Sequence, residues 1–171
     1  MSRLPVQERT LHILMRFSDR MMPTGQTITA HQEVISKRGA VWLAKAGKRL
    51  GLETIRTINE QTSSGLPSFL YLVQRGEEGY ELYKGNLLHL SRSLPENADK
   101  LVPSYYRRSL FLSKVGLWMK LSKLEVASPG ELERLFVART GTPAIVALHS
   151  SMAGLFVIRR VPARVGSRLR D

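Results

Sequence analysis

The sequence contains no cysteine among its 171 residues. This absence excludes disulfide bonds, cysteine-ligated zinc, iron–sulfur clusters and thiol catalysis, and it fits a reducing compartment. No apolar run approaches the ~18 residues of a membrane-spanning helix. The first residues also lack the basic-then-apolar pattern of a signal peptide. We therefore expect a cytoplasmic protein.

Acidic residues are scarce as well, because 14 Asp and Glu stand against 26 Lys and Arg, which gives a formal net charge of +12. The excess is uneven: residues 101–171 contain twelve basic and four acidic residues. The basic residues nearest the end are Arg159, Arg160, Arg164, Arg168 and Arg170. Such a charge distribution attracts polyanions, of which nucleic acid is the commonest in the cytosol. Charge alone specifies neither a sequence preference nor a reaction.

Groups that could support catalysis or bind a metal are few. The four histidines are scattered and lack metal-ligand spacing with carboxylates. Glu131 and Glu133 lie two apart in a predicted helix, so they point in different directions and cannot form an acid–base pair. Gly47-Lys48-Arg49 lacks the spacing and the hydroxyl of a phosphate-binding loop, and His149-Ser150-Ser151 lacks a glycine elbow. We predict a non-enzymatic protein without metal or cofactor.

The apolar pattern predicts an α+β protein with three parts. Residues 5–22 show helical spacing, and a second short helix is predicted over 30–37. Together they would form an N-terminal helical extension over 1–38. Strand patterns dominate the domain predicted over 39–160, and 161–171 is predicted to be a flexible basic tail.

The predicted domain alternates strands and helices. The predicted strands are 40–44, 69–73, 80–90, 114–126 and 155–159. The predicted helices are 52–61 and 129–137, and a short apolar segment follows over 143–148. The strands on either side of the Gly76–Gly79 turn are expected to form a β-hairpin.

Aromatic and basic residues are interleaved along these segments. The candidate nucleic-acid-binding residues are Trp42, Lys45, Lys48, Arg49, Tyr105, Tyr106, Arg107, Arg108, Trp118, Arg159 and Arg160. Aromatic faces stack on unpaired or flipped bases, while basic groups hold the phosphates. The alternative is that both tryptophans fill the core, which is the usual place for aromatic residues in strands.

Several segments in this domain are similar to those of a known family in their residue pattern and in their order along the chain. They are Val41–Lys45, helix 52–61, Ser68–Val73, Tyr80–Leu87, Lys114–Leu124, helix 129–137 and Gly141–Pro143. Over about residues 40–160 the chain resembles the EVE/YTH branch of the PUA-like β-barrel domains.

The resemblance implies a compact mixed β-barrel with flanking helices that extrudes one nucleobase, often a methylated one, into an aromatic cage. Trp42 lies in the strand that matches the family's first strand, and Trp118 lies on a strand whose family tryptophan is often structural. The family's loop tryptophans have no counterpart here. Tyr105 and Tyr106 are the large aromatic residues in that segment.

Our main hypothesis is a cytoplasmic protein that binds RNA or DNA and reads a flipped, modified base in an aromatic pocket. An alternative is a structural or adaptor subunit of a larger ribonucleoprotein or mobile-element-encoded complex. In that case helix 5–22 would dock a protein partner or mediate self-association. A nuclease with an unrecognised site is a third possibility.

Overall fold

The computed structural model describes residues 9–19, 26–108 and 114–162, without the side chains of Arg107, Arg108 and Pro129. Its strands are β1 (His12–Arg16), β2 (Val41–Ala46), β3 (Phe69–Arg75), β4 (Tyr80–Ser91), β5 (Val115–Val126), β6 (Leu135–Val137) and β7 (Leu155–Arg160). Its helices are α1 (Thr27–Arg38), α2 (Leu52–Ser63), α3 (Pro129–Leu132) and α4 (Ala144–Ser150). Two short 3-10 helices, Ala98–Leu101 and Ser104–Arg108, follow β4.

The strands in these ranges form one mixed sheet in the order β2-β5-β4-β3-β1-β7-β6. Strand β1 runs parallel to β3 and antiparallel to β7, and the remaining neighbours are antiparallel. The mixed α+β class is therefore confirmed. Within the described ranges, the edge strands β2 and β6 do not pair with each other, so the sheet is not closed and the predicted barrel is not confirmed.

The prediction of a helix over 5–22 is wrong for residues 12–16, which form β1. Ile13, Leu14 and Met15 are consecutive and all buried, because both faces of this strand are covered. A helix would expose part of such a run, whereas pairing with β3 and β7 buries all of it. Residues 1–8 and 20–25 lie outside the described residues. Because β1 is a buried inner strand, residues 12–16 cannot present the helical docking surface that we predicted for a protein partner.

Most of the other helices and strands predicted from the sequence are present in the structure. Helices α1 and α2, the β3–β4 hairpin and the long strand β5 are confirmed, each with ends shifted by a few residues. The helix predicted over 129–137 ends at Leu132, because Leu135–Val137 forms β6 by pairing with the end of β7. The apolar segment predicted over 143–148 is helix α4.

The sheet separates two hydrophobic cores. On one face, α1 and α2 cover a core that includes Ile13, Met15, Leu43, Leu70, Leu72 and Met119. On the other face, the segments around α3 and α4 cover Leu14, Tyr71, Leu135, Leu148 and Ile158. Alternate residues of β1 and β3 thus belong to different cores, as the two-residue period of a strand requires.

A third, smaller apolar cluster packs against β2 and β5. It contains Trp42, Ala98, Tyr106 and Trp118, and we call it the tryptophan cluster. The two 3-10 helices after β4 cover it. This cluster fixes the segment around Tyr106 against the sheet.

The division of the chain into an N-terminal extension (1–38), a domain (39–160) and a tail (161–171) stays a prediction. Strand β1, from the predicted extension, shares its sheet with strands of the predicted domain. Residues 163–171 lie outside the described residues. Each helix in the described ranges is too short or too polar to cross a bilayer.

Candidate nucleic-acid interface

A cavity of about 280 Å³ lies between β1, β2, α1 and the second 3-10 helix. It is lined by Met15, Arg16, Phe17, Ser18, Thr27, His31, Leu43, Ala44, Lys45, Ala46, Leu72, Tyr105 and Tyr106. We call it the aromatic pocket. Its volume is close to the lower end of the range for small-molecule sites, about 300–1,000 Å³, which suits one planar ring system.

A chain of hydrogen bonds fixes the inner wall of this pocket. The Nδ1 of His31 lies 2.8 Å from the backbone oxygen of Thr27. Because a carbonyl only accepts, Nδ1 carries the proton and Nε2 accepts the hydroxyl proton of Tyr106 at 2.7 Å. The same hydroxyl oxygen accepts the backbone N–H of Ala44 at 3.1 Å. The ring of Tyr106 is therefore held from two sides.

Burial determines the charge state of that wall. His31 is 0% exposed. Desolvation lowers its pKa to about 4, although its hydrogen bond to Thr27 acts in the opposite direction. Burial also raises the pKa of Tyr106 well above its usual value. Both groups are consequently neutral at physiological pH, and the inner wall carries no charge.

Tyr105 forms the outer part of the aromatic wall. Its ring packs edge-to-face on Tyr106, with centroids 4.8 Å apart, and lies 6.3 Å from the ring of His31. Burial raises the pKa of Tyr105 to about 12, so it remains a neutral phenol. Phe17, on the other side, packs edge-on against Tyr83 at 5.8 Å. Because Tyr105 and Phe17 are partly exposed, they can offer ring surface to a ligand.

Lys45 supplies the ammonium group of the pocket. Its Nζ donates to the backbone oxygen of Arg16 at 3.2 Å. Burial lowers the pKa of Lys45, and the positive charge of Lys48 lowers it further. The second effect requires Lys48 to lie near the Lys45 ammonium. The pocket therefore has a cationic side.

The loop that carries Lys48 and Arg49 is held against β5. The backbone N–H of Gly47 donates to the oxygen of Lys114 at 3.0 Å. A Cβ atom on Gly116 would lie 2.4 Å from the backbone oxygen of Lys48, so β5 and the loop are in close backbone contact. Lys48 and Arg49 are both exposed on this fixed loop. The structure thus brings three of the predicted basic residues to one region.

The two predicted tryptophans are placed elsewhere. Trp42 is 4% exposed and Trp118 is 6% exposed, and both belong to the tryptophan cluster behind Tyr106. Neither lines the aromatic pocket. The Nζ of Lys120 lies 6.0 Å from the centroid of the Trp42 ring. Their contact with a base stays a prediction, and their burial favours the structural alternative.

The remaining predicted basic residues are Arg107, Arg108, Arg159 and Arg160. Arg107 and Arg108 follow Tyr106 in the same 3-10 helix, but their side chains lie outside the described residues. Arg159 is exposed, whereas Arg160 is partly buried and its Nη2 lies 3.0 Å from Glu131 Oε1. Arg160 lines a different cavity, so it is separated from the aromatic pocket.

Sequence reasoning missed His31, Phe17 and Thr27. His31 was seen as one of four scattered histidines, and its partner Tyr106 lies 75 positions further along the chain. No local pattern identifies such a pair. Phe17 follows directly on β1, which the sequence analysis had placed inside a helix.

Comparison with known proteins places the pocket in a family context. A family model described as Pua-like matches residues 13–145 of the chain. The matched span contains every residue that lines the aromatic pocket. No curated protein and no solved structure matches the sequence.

Proposed function

This chain belongs to the Pua-like family, and from that premise we propose that it is a non-enzymatic nucleic-acid-binding protein. Domains of this kind generally bind nucleic acids, and membership suggests an RNA-binding role. In our proposal the aromatic pocket receives one unpaired base. The observation that carries the proposal is the cavity itself, in which aromatic walls and one ammonium group surround a space of about 280 Å³.

The pocket walls match the chemistry of a base. A base is a flat aromatic ring with polar edges, and it gains stability by stacking on aromatic side chains. Tyr105 and Phe17 offer such ring surface. An ammonium group has three donors, and Lys45 donates one of them to Arg16. The others can donate to a ring nitrogen or carbonyl of the base.

The charged residues around the pocket suit the phosphate backbone of a nucleic acid. Lys48 and Arg49 are exposed on the loop held against β5. Phosphates that flank a flipped base would lie outside the pocket, where such cations can bind them. The net charge of +12 would accelerate the encounter with any polyanion. Two contributions to the binding affinity can therefore be measured separately: the attraction of the phosphate backbone by positive charge, and the insertion of a base into the aromatic pocket.

The first experiment measures base insertion. Fluorescence anisotropy with a labelled single-stranded RNA compares Tyr105→Ala with Tyr80→Ala, which removes a tyrosine that packs on His149 outside the pocket. Loss of one stacked base costs about 1–3 kcal/mol, so Tyr105→Ala should raise Kd by roughly 5- to 150-fold. Tyr80→Ala should leave Kd unchanged. Equal affinities of the two variants would refute the pocket.

The second experiment measures phosphate capture. The double variant Lys48→Gln, Arg49→Gln should flatten the dependence of log K on log salt by about 0.7 for each phosphate of a single strand that the protein no longer neutralises. Lys37→Gln, an exposed change on α1, is the control and should leave the slope unchanged. The same titrations test which nucleic acid and which base the pocket prefers. They compare matched RNA and DNA, single- and double-stranded, with and without methylated bases.

A further inference from the structure

A second cavity lies on the opposite face of β1 and β3. Its volume is about 220 Å³, and its lining residues are Thr10, His12, Leu66, Pro67, Phe69, Arg160 and Pro162. We call it the Arg160 cavity. His12 and Phe69 face it, whereas Met15 and Leu72, which line the aromatic pocket, lie on the other face of the same strands. The two cavities are therefore separate sites.

Charged groups beside the Arg160 cavity leave an excess of positive charge. One oxygen of Glu131, Oε1, accepts from Lys84 Nζ at 3.0 Å, from Arg160 Nη2 at 3.0 Å and from the Tyr71 hydroxyl at 2.9 Å. Burial alone would raise the pKa of Glu131, but the hydrogen bonds from Lys84 and Tyr71, together with the positive charges of Lys84 and Arg160, outweigh burial and lower the pKa. Two cations thus face one ionised carboxylate.

His12 presents an unused donor to this cavity. It is 3% exposed, and its Nδ1 accepts the backbone N–H of Phe69 at 3.0 Å. Because an amide N–H only donates, Nδ1 carries no proton and the neutral ring has its proton on Nε2. Among the described residues the His12 ring makes its hydrogen bond through Nδ1, which leaves the Nε2–H for the cavity that His12 lines. Stacking on Phe69, at 5.3 Å and 17°, holds the ring in this orientation.

Arg160 lines the cavity with a charged guanidinium, one N–H of which is enclosed by the fold. Its Nε is buried and has no hydrogen-bond partner among the described residues. An unsatisfied buried N–H is costly, and it is costlier still on a charged group. The pKa of His12 also reports the local field: burial lowers it first, and the charges of Arg160 and Lys84 lower it further, to about 4. Positive potential therefore extends to the His12 ring.

We propose that the Arg160 cavity binds a phosphate group, with the Arg160 guanidinium and the Nε2–H of His12 as its donors. An oxyanion in the cavity can accept the Nε2–H of His12 and a hydrogen bond from the Arg160 guanidinium, and guanidinium groups bind phosphate oxygens with strong, charge-assisted hydrogen bonds. The phosphate comes either from the backbone of a bound nucleic acid or from a free phosphomonoester. The site does not depend on base binding in the aromatic pocket.

Titration of the native protein with inorganic phosphate, followed by ¹H–¹⁵N NMR at constant ionic strength, tests the site. Saturable shifts are expected at the Phe69 amide and at the His12 ring. Arg160→Gln should weaken phosphate binding about tenfold or more, as expected for a charged hydrogen bond. Arg139→Gln is the control, because it makes the same change on an exposed side chain that lines neither cavity, and it should leave the affinity unchanged.

His12→Asn provides a test that keeps the local structure. The asparagine oxygen can accept the Phe69 N–H in place of Nδ1, while the donor at Nε2 is removed. This variant should also bind phosphate about tenfold more weakly, with its unfolding midpoint measured alongside. Absence of saturable shifts in the native protein, or equal affinities in the Arg139, Arg160 and His12 variants, would overturn the proposal.

The source of the phosphate follows from two further titrations. If Arg160→Gln weakens single-stranded RNA binding much more than Arg139→Gln does, the backbone is the source. If RNA binding is the same in both variants while a 5′-mononucleotide shifts the His12 ring, a free phosphomonoester is the source. Failure of the proposed function would appear in the Tyr105 variant instead, so the two tests are independent.

Discussion

Replacing Trp42 with alanine should destabilise the protein without weakening nucleic-acid binding by the molecules that remain folded. The indole is 4% exposed and packs in the tryptophan cluster with Trp118 and Tyr106. Its ring edge also meets His89, at a centroid distance of 6.2 Å. Emptying a packed site of this size costs about 3–5 kcal/mol. A domain typically has about 5–15 kcal/mol of stability, so most molecules should still be folded at 25 °C.

The assay combines urea unfolding with binding in the same buffer. Unfolding is followed by far-UV circular dichroism, because the substitution removes one of the two tryptophans and alters fluorescence. We expect a lower midpoint for Trp42→Ala and a Kd, corrected for the folded fraction, within about twofold of the native value. Tyr105→Ala should show the reverse, since its partly exposed ring contributes less to the core and directly to the pocket.

The result that would refute this reasoning is specific. If Trp42→Ala unfolds at nearly the native urea concentration but binds nucleic acid about 5- to 150-fold more weakly, the indole contacts the base. The base site would then lie in the tryptophan cluster and not in the aromatic pocket. The sequence-based prediction of Trp42 as a stacking residue would be right.

Two further predictions concern stability. The folded-state pKa values of His12 and His31 are about 4, below the unfolded value near 6.5. Between these pH values the unfolded state therefore binds more protons than the folded state. The free energy of unfolding should consequently fall as the pH drops from 6.5 to 4. The loss should be roughly 3 kcal/mol per histidine, and urea unfolding that is unchanged between pH 7 and pH 4.5 would contradict it. Gly116→Ala should destabilise the protein and weaken RNA binding, because the new Cβ would collide with the backbone oxygen of Lys48. Gly51→Ala meets no atom within 4 Å and is the control; equal midpoints and affinities would exclude a role for the close approach of the loop to β5.

Local signals account for the elements that the sequence predicted well. The β3–β4 hairpin has apolar strands around the Gly76–Gly79 turn, so its partners are neighbours in the chain. Helix α2 has its apolar residues at helical spacing, and Ile55 and Ile58 are buried as that spacing requires. β1 was missed because its character depends on partners that lie far away in the sequence, in β3 and β7. Leu11, Leu14 and Met15 fit a helical spacing by coincidence.

The sequence predicted only the part of the candidate site that residue type and position reveal. Lys45, Tyr105 and Tyr106 were named from residue type and position, and the structure brings them to one cavity. The sequence could not decide which aromatic residues are exposed, because that depends on packing of the segment after β4 over Trp42. It also could not identify His31, whose neutral state and orientation follow from burial and from two hydrogen bonds.

The position of β1 in the sheet has a kinetic consequence. His12 pairs with Ile158, so one inner contact of the sheet joins residues that lie far apart in the sequence. Long-range strand pairing of this kind is slow, and here it cannot begin until β7 has left the ribosome. Until then the apolar side chains of β1 have no antiparallel neighbour. We therefore expect a period in which one edge of β1 in the nascent chain is unpaired and open to aggregation or to chaperones, and we expect the sheet to be completed only after β7 has been synthesised.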